Sequence, residues 1–373
     1  MDSSPLAAQP QSPLPEVSIV VPARNEETSL GACLESLTSQ TGVAFEIIVV
    51  DDASTDRTRE IAQNFAGVRV ISAGPPPDRA GKPWTGKNNA LIAGTKEARA
   101  QWLLFTDADT VHLPGSLARA LDEAKKERAD LLSYSPAQVV VTFAERAVMP
   151  VIFAELAVQY PPHKVREQNS EIAAANGQYI LVRRSAYEAV GGHVAVATEI
   201  LEDVALARRF RDACQRVYFR YGADAVRTRM YRNWPQLREG WTKNLALLFP
   251  HPGLLAFQSL LAWCAAWAAL GLAVSGALSQ HFVWVTLAVL WLLLYRRIRI
   301  AHFTTANNLL AIAFGLLMFA YLLLRSKRAH ANGQVPWKGR TYRVGTNSGS
   351  TRAEMQTANR IPATENRELR TEN

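Results

Sequence analysis

Glu46-Ile47-Ile48-Val49-Val50-Asp51-Asp52-Ala53-Ser54-Thr55-Asp56 is a β-branched run that breaks off in two acids and a turn. A continuous apolar run of this length suits a strand buried on both faces, as in a parallel sheet. Upstream, Val17-Ser18-Ile19-Val20-Val21 ends in the same way at Pro22, and shorter runs follow at 68–71 and 102–105. Helices are expected between them. One opens near Glu26 to Ser29 and runs through Leu37, one starts at 54–56, and one covers 88–100 after a Gly/Pro-rich loop at 73–86. Strands alternating with helices predict an α/β domain with right-handed crossovers. Further strands are expected at 129–135, 138–143 and 176–184 and a helix at 199–213. The apolar stretch 147–160, stopping at Pro161-Pro162, is too short to span and reads as an interfacial or core helix.

Composition divides the 373 residues unevenly. Residues 1–15, rich in Pro and Ser and without a basic start or apolar core, read as a flexible leader rather than a signal peptide. From Leu254 to Leu324 the chain is dominated by apolar residues, in segments 254–276, 283–294 and 309–324. The first and third are long enough to span with their flanks, and the middle one is short. The net charge is +8, and much of it flanks these segments at Arg296, Arg297, Arg299, Arg325, Lys327 and Arg328. That placement favours lipid headgroups and excludes a nucleic-acid partner, for which no signature is present. The three cysteines, Cys33, Cys214 and Cys264, form no C-x-x-C pair, so neither a disulfide framework nor a zinc site is implied and the soluble part reads as cytosolic.

In open α/β sheets ligands bind beyond the carboxyl ends of the strands, where Asp51, Asp52, Asp107 and Asp109 all fall. Asp107-Ala108-Asp109 follows the strand 102–105. Two carboxylates one residue apart can hold Mg²⁺ or Mn²⁺ against a diphosphate, although D-x-D alone is more often a solvated turn or a helix cap. Asp51 and Asp52 can accept hydrogen bonds from a base or ribose, or cap the next helix. Lys87 opens a helix, and a lysine beside a helix N-terminus suits a diphosphate.

Taken in order, Val17 to Glu26 with its P-x-x-N-E turn, Glu46 to Asp56 with V-D-D-x-S-x-D, Lys87-Asn88-Asn89-Ala90, Asp107-Ala108-Asp109 and Glu202-Asp203-Val204-Ala205-Leu206 resemble the family 2 glycosyltransferases. The resemblance covers residues 17–210. It implies a GT-A catalytic domain, Rossmann-like with a mainly parallel sheet, over 16–250. A C-terminal α-helical membrane region at 251–328 and a largely disordered tail at 329–373 would follow. It further implies an inverting, metal-dependent transfer from a nucleotide sugar, a UDP-sugar foremost, to a lipid-type acceptor. Pro22, Asn25, Glu26, Asp51, Asp52, Lys87 and Asp107 would bind the donor, and Asp107 and Asp109 the Mg²⁺ or Mn²⁺. Asp203 would be the general base, with Glu202 its neighbour and Glu199 in reserve. The acidic pair would otherwise serve the dipole of its helix. His193, after Gly191-Gly192, could contact phosphate or metal, or be an ordinary loop histidine. Gln236-Leu237-Arg238-Glu239-Gly240-Trp241 is similar to the Q-x-x-R-W motif of processive members, but its arginine comes too early, which argues against a polymer synthase. Arg238 and Trp241 could cover the donor or anchor at the membrane. Gly81 to Asn88 and Trp337 to Tyr342 resemble segments of bacterial glycosyltransferases linked to carotenoid and hopanoid biosynthesis.

A nucleotidyltransferase would want glycines in the first loop, where Pro22-Ala23-Arg24-Asn25-Glu26 has none. A transporter would want ionisable residues inside the apolar segments, which are almost free of them. A non-catalytic nucleotide-sugar binder would be expected to lack Asp107, Asp109 or Asp203. The expected setting is the inner membrane, multi-pass, with a cytosolic catalytic domain. The arginines after the second segment and the basic cluster after the third cannot both be cytosolic if all three segments span once.

Overall fold

The computed structural model describes residues 14–79, 82–275, 280–337 and 340–343. The leader before residue 14 and the tail after residue 343 lie outside them. A seven-stranded sheet runs in the order Val217–Tyr221, Leu131–Ser135, Ile180–Arg183, Trp102–Phe105, Val17–Ala23, Phe45–Asp51, Val68–Ser72. All neighbours pair in parallel except Ile180–Arg183, which runs antiparallel to both strands beside it. The sheet is thus a GT-A-like, mainly parallel one. Its strands are buried on both faces: Ile19, Val21, Val49 and Leu104 pack under the helix Leu30–Thr38, and Val20, Val50 and Leu103 under the helix Gly86–Glu97. A small second sheet, Thr110–His112, Val226–Thr228 and Ala137–Gln138, stands beside the carboxyl ends.

The expected strand at 138–143 is reduced to Ala137–Gln138, because Thr142 begins the helix Phe143–Gln159. Thr142 and Glu145 form a capping box, which satisfies donors of the first turn reciprocally. Glu145 also holds Arg229, with Nε at 3.2 Å from Oε1. This helix is a buried element: Val148, Met149, Val151 and Ile152 share a core with Leu237, Trp241 and Leu245 of the helix Trp234–Leu248 and with Ile312, Phe319 and Leu323 of the C-terminal helices.

Those C-terminal helices are Pro252–Ser275, Gln280–Ile298 and Thr305–Ala331, the last with a π segment at Ala311–Gly315. The first and third are long and apolar enough to cross a membrane, with mean hydropathy 1.6 and 2.1. Within 329–343, the start of the tail expected to be largely disordered, the helix continues to Ala331 and strands Gln334–Trp337 and Arg340–Arg343 pair as a hairpin, and the rest of that tail lies outside the described residues.

The π segment meets the helix 143–159 backbone to backbone. A Cβ on Gly315 would stand 2.0 Å from the Ala147 carbonyl oxygen. Glycine to alanine in an open helix stabilises by up to ~1 kcal/mol. Here the helices must part, and overpacking of this kind costs about 1–3 kcal/mol. Gly315→Ala is therefore expected to lower the thermal unfolding midpoint of the detergent-solubilised protein.

Candidate active site

The first two motifs lock onto each other. Asn25 and Ala53 both adopt left-handed backbone conformations. The Asn25 N–H donates to Ser54 Oγ (3.1 Å), Asn25 Oδ1 accepts from the Thr55 N–H (2.9 Å), and the Glu26 N–H donates to Thr58 Oγ1 (2.7 Å). Asp56 accepts from the N–H groups of Glu27 and Thr58. Arg24 Nη1 donates to the Asp52 carbonyl (2.6 Å). Asn25 therefore serves the turn itself. Asp52 lines the cavity beside Pro22, Asn25 and Glu26. Asp51 points elsewhere, accepting from the Ser54 N–H (3.2 Å) and lying 3.6 Å from Arg59.

Thr85 caps the helix 86–97. Asn88 ties that helix to the carbonyls of Val196, Ala197 and Glu199, just ahead of the helix Glu202–Asp212, and Asn89 to those of Ala73 and Gly74. Lys87 is thereby delivered between two carboxylates: its Nζ lies 2.8 Å from Asp107 Oδ1 and 2.7 Å from Glu202 Oε1. Burial opposes its charge, but the two acids outweigh that and hold the ammonium well above its usual range. Burial likewise opposes ionisation of Glu202, and Lys87 with Lys243 reverses the effect, so its carboxyl sits below the usual range. Asp203 goes the other way. Burial, with the Glu202 charge adding to it, pushes its carboxyl up to about 6, although the Gly177 N–H donates to Oδ2 at 2.9 Å.

Asp107 and Asp109 leave the end of the strand 102–105 on a loop held by Thr110 Oγ1 to the Asp107 carbonyl (2.7 Å) and Thr228 Oγ1 to the Asp109 carbonyl (3.1 Å). Both residues line the cavity that Lys87, Glu202 and Asp203 share, a space of about 900 Å³. Among the described residues no three His, Cys, Asp or Glu side chains are grouped to hold a metal by themselves. Two hard carboxylates fit Mg²⁺ or Mn²⁺, which is commonly bound by one or two carboxylates together with substrate phosphates.

Trp241 forms part of the cavity wall, its Nε1 directed at Met149 Sδ (3.3 Å), whereas Arg238 lies outside the lining. His193 is a core residue. It is almost fully buried, bonded through Nδ1 to Tyr187 Oη (2.9 Å) and set edge-on to Phe105, and burial pushes its pKa down to about 4. It does not reach the cavity, nor does Glu199, which is exposed. Sequence reasoning missed Arg229 and Lys243, both of which line the cavity together with Gly177 of the turn 176–178.

A mainly parallel sheet whose carboxyl ends open on a cavity of acids, two lysines and a D-x-D loop is the layout of a GT-A sugar transferase domain. Residues 18–191 match the model of glycosyl transferase family 2, so this stretch is a glycosyltransferase domain of that family. The chain is 29% identical over 340 residues to the 4,4'-diaponeurosporenoate glycosyltransferase of Staphylococcus aureus strain MRSA252, covering 88% of each chain. Its counterpart in strain USA300 is 28% identical with the same coverage. Among solved structures, the mannosyltransferase PcManGT from Pyrobaculum calidifontis, in complex with GDP-Man and Mn²⁺, superposes with a TM-score of 0.51 at 18% identity, over 85% of this chain and 87% of that one.

A Cβ on Gly177 would stand 2.9 Å from Lys87 Nζ and 3.2 Å from Glu202 Oε1. Both are ends of flexible side chains, so the fold should accommodate the change while the lysine bridge does not. Gly177→Ala is expected to keep its melting midpoint within a few degrees and to lose at least about tenfold in transfer rate, read by thermal unfolding beside a glycosyl-transfer assay.

Proposed function

We propose that the protein transfers a sugar, with inversion, from a nucleoside diphosphate donor to an apolar, isoprenoid-like acceptor at the cytosolic face of the inner membrane. The observation that carries this reading is the shape of the cavity. Beyond the acid cluster it continues as an apolar arm along one face of the helix 143–159, where Phe153, Leu156, Ala157 and Tyr160 recur at helical spacing. The stripe covers ~10 Å of helix. It begins at Tyr160, near enough for the Asp203 charge to add to the effect of burial on its hydroxyl, and ends at Phe153, which packs on Phe303. Phe219 and Tyr221 also line the cavity, with Ile300 and His302 from the segment joining two C-terminal helices, and His302 stacks on Tyr221. A soluble acceptor has no use for such an arm. The staphylococcal relatives, named for 4,4'-diaponeurosporenoate, support the carotenoid side of the resemblance rather than the hopanoid side.

In this reading Asp52 and the 22–26 turn hold the nucleoside, and Lys87 meets the diphosphate. Mg²⁺ or Mn²⁺ on Asp107 and Asp109 would offset charge on the leaving group. Asp203 takes the proton of the acceptor hydroxyl as its oxygen attacks the anomeric carbon and the bond to the diphosphate breaks. A carboxyl near 6 is suited to that task at neutral pH.

Asp203→Asn should lower kcat by ~10²–10⁴-fold while affinity for the nucleoside diphosphate stays near normal. Below pH 6 the wild-type base is protonated, so the rate should fall as pH drops through about 6. Full turnover by Asp203→Asn beside a dead Glu202→Gln would refute the assignment. The relatives' names also favour a second acceptor chemistry, a carboxylic acid, which arrives ionised and needs no base. With that acceptor Asp203→Asn would lose little and the acid limb at 6 would be missing.

Ala157→Trp fills the arm. It should raise the acceptor KM by tenfold or more without changing donor hydrolysis by water, in an assay with a panel of nucleotide sugars, UDP-sugars first, with and without Mn²⁺. Equal use of a long-tailed and a water-soluble acceptor by both proteins would count against a lipid substrate.

A further inference from the structure

The helix 305–331 has a length of ~40 Å, enough to cross a bilayer. Both of its ends, however, are fastened to the catalytic domain. At one end Arg146 Nε donates to Asn307 Oδ1 (2.9 Å), and His302, just before the helix, stacks on Tyr221 of the sheet with ring centroids 4.5 Å apart. At the other, Ser326 Oγ donates to the Thr242 carbonyl (2.7 Å) and accepts from the Ala246 N–H (2.9 Å), while His330 Nε2 lies 2.9 Å from the Lys243 carbonyl. Between them Gly315 abuts Ala147. A spanning helix carries its two ends to opposite faces of the membrane, and one domain cannot hold both.

The helix 252–275 runs antiparallel along the outside of this one. Gly253 faces Lys327, and the indoles of Trp263 and Trp267 both donate to the Ala313 carbonyl. Only 17% of its apolar window is buried, against 50% for 305–331. Phe257, Leu261, Val274, Phe282, Val285 and Leu293 are each more than half exposed. Arg296, Arg299, Lys327 and Arg328 are exposed as well.

We propose that the C-terminal helices do not cross the membrane. They lie along the catalytic domain as a layer embedded in one leaflet, apolar face toward the acyl chains and basic residues toward anionic headgroups. This rests on reading the layer as membrane-bound. It resolves the charge pattern of the sequence, since both basic clusters then lie on one side. It also sets the 299–303 segment, which lines the acceptor arm, within the same leaflet.

The test uses the full chain with Cys264 replaced by Ser and exposed Cys214 kept as the marker of the catalytic side. Ala306→Cys and Arg328→Cys are introduced singly and treated with a membrane-impermeant maleimide in inside-out and right-side-out vesicles. Both positions should label from the side that labels Cys214, to at least about tenfold excess over the other side, and the protein should stay in the pellet after alkaline carbonate. Labelling of the two positions from opposite sides overturns the proposal while leaving membrane attachment intact. Release by carbonate removes the membrane reading itself, and the proposal with it.

Discussion

Lys87 holds two carboxyl-bearing segments together, and the site depends on it. Asp107 ends a central strand and Glu202 opens a helix, so the two arrive from distant parts of the chain at one ammonium. The Glu202 charge opposes ionisation of Asp107, and the half-buried lysine between them offsets that repulsion. The surrounding contacts serve this point. Thr85 fixes the helix start and Asn88 binds the loop ahead of Glu202. Gly177 leaves out a side chain that would occupy the same space. With Glu202 kept ionised by the lysine, its charge adds to burial at Asp203. One cation thus sets neighbouring carboxyls to opposite tasks.

The sheet was largely legible because its strands are buried on both faces and read as unbroken β-branched runs ending in acids or proline. The stretch 138–143 misled for the same reason. Val139, Val140 and Val141 have strand propensity, but Val139 and Val141 are exposed, and Thr142 with Glu145 starts a helix. The decisive mark, T-x-x-E ahead of an apolar run, was present and outranks local propensity. In the site, residues at strand ends and helix starts were readable because their spacing carries the chemistry. Asp51 and Asp52 could not be told apart, since adjacent side chains point to opposite sides of a strand end. Lys243 was invisible because only the long-range packing of the helix 234–248 brings it to the cavity.

The apolar helices show what hydropathy can and cannot say. It finds segments that prefer hydrocarbon, and both long ones are confirmed as helices of sufficient length. It does not say which face of a helix meets lipid and which meets protein. Half of the 305–331 window is buried, with Ile312, Phe319 and Leu323 in the core shared with the helix 143–159, and the fastening contacts at Asn307, Gly315 and Ser326 come from small or polar residues that a hydropathy average dilutes.

If the 22–26 and 51–58 turns hold the donor as proposed, their interlock has a consequence for how tightly it would be held. Two surface loops left to themselves would each lose backbone freedom when a ligand fixed them, at roughly 1–2 kcal/mol per residue ordered. Here that loss is incurred during folding, because each loop supplies the other's hydrogen-bond partners and both adopt their left-handed residues, Asn25 and Ala53, before any nucleotide arrives. Association then draws on contact energy with little conformational debt. On the donor-binding role proposed for these turns, discrimination among nucleosides would follow from the fit of a rigid rim rather than from a loop that reshapes itself around whatever enters.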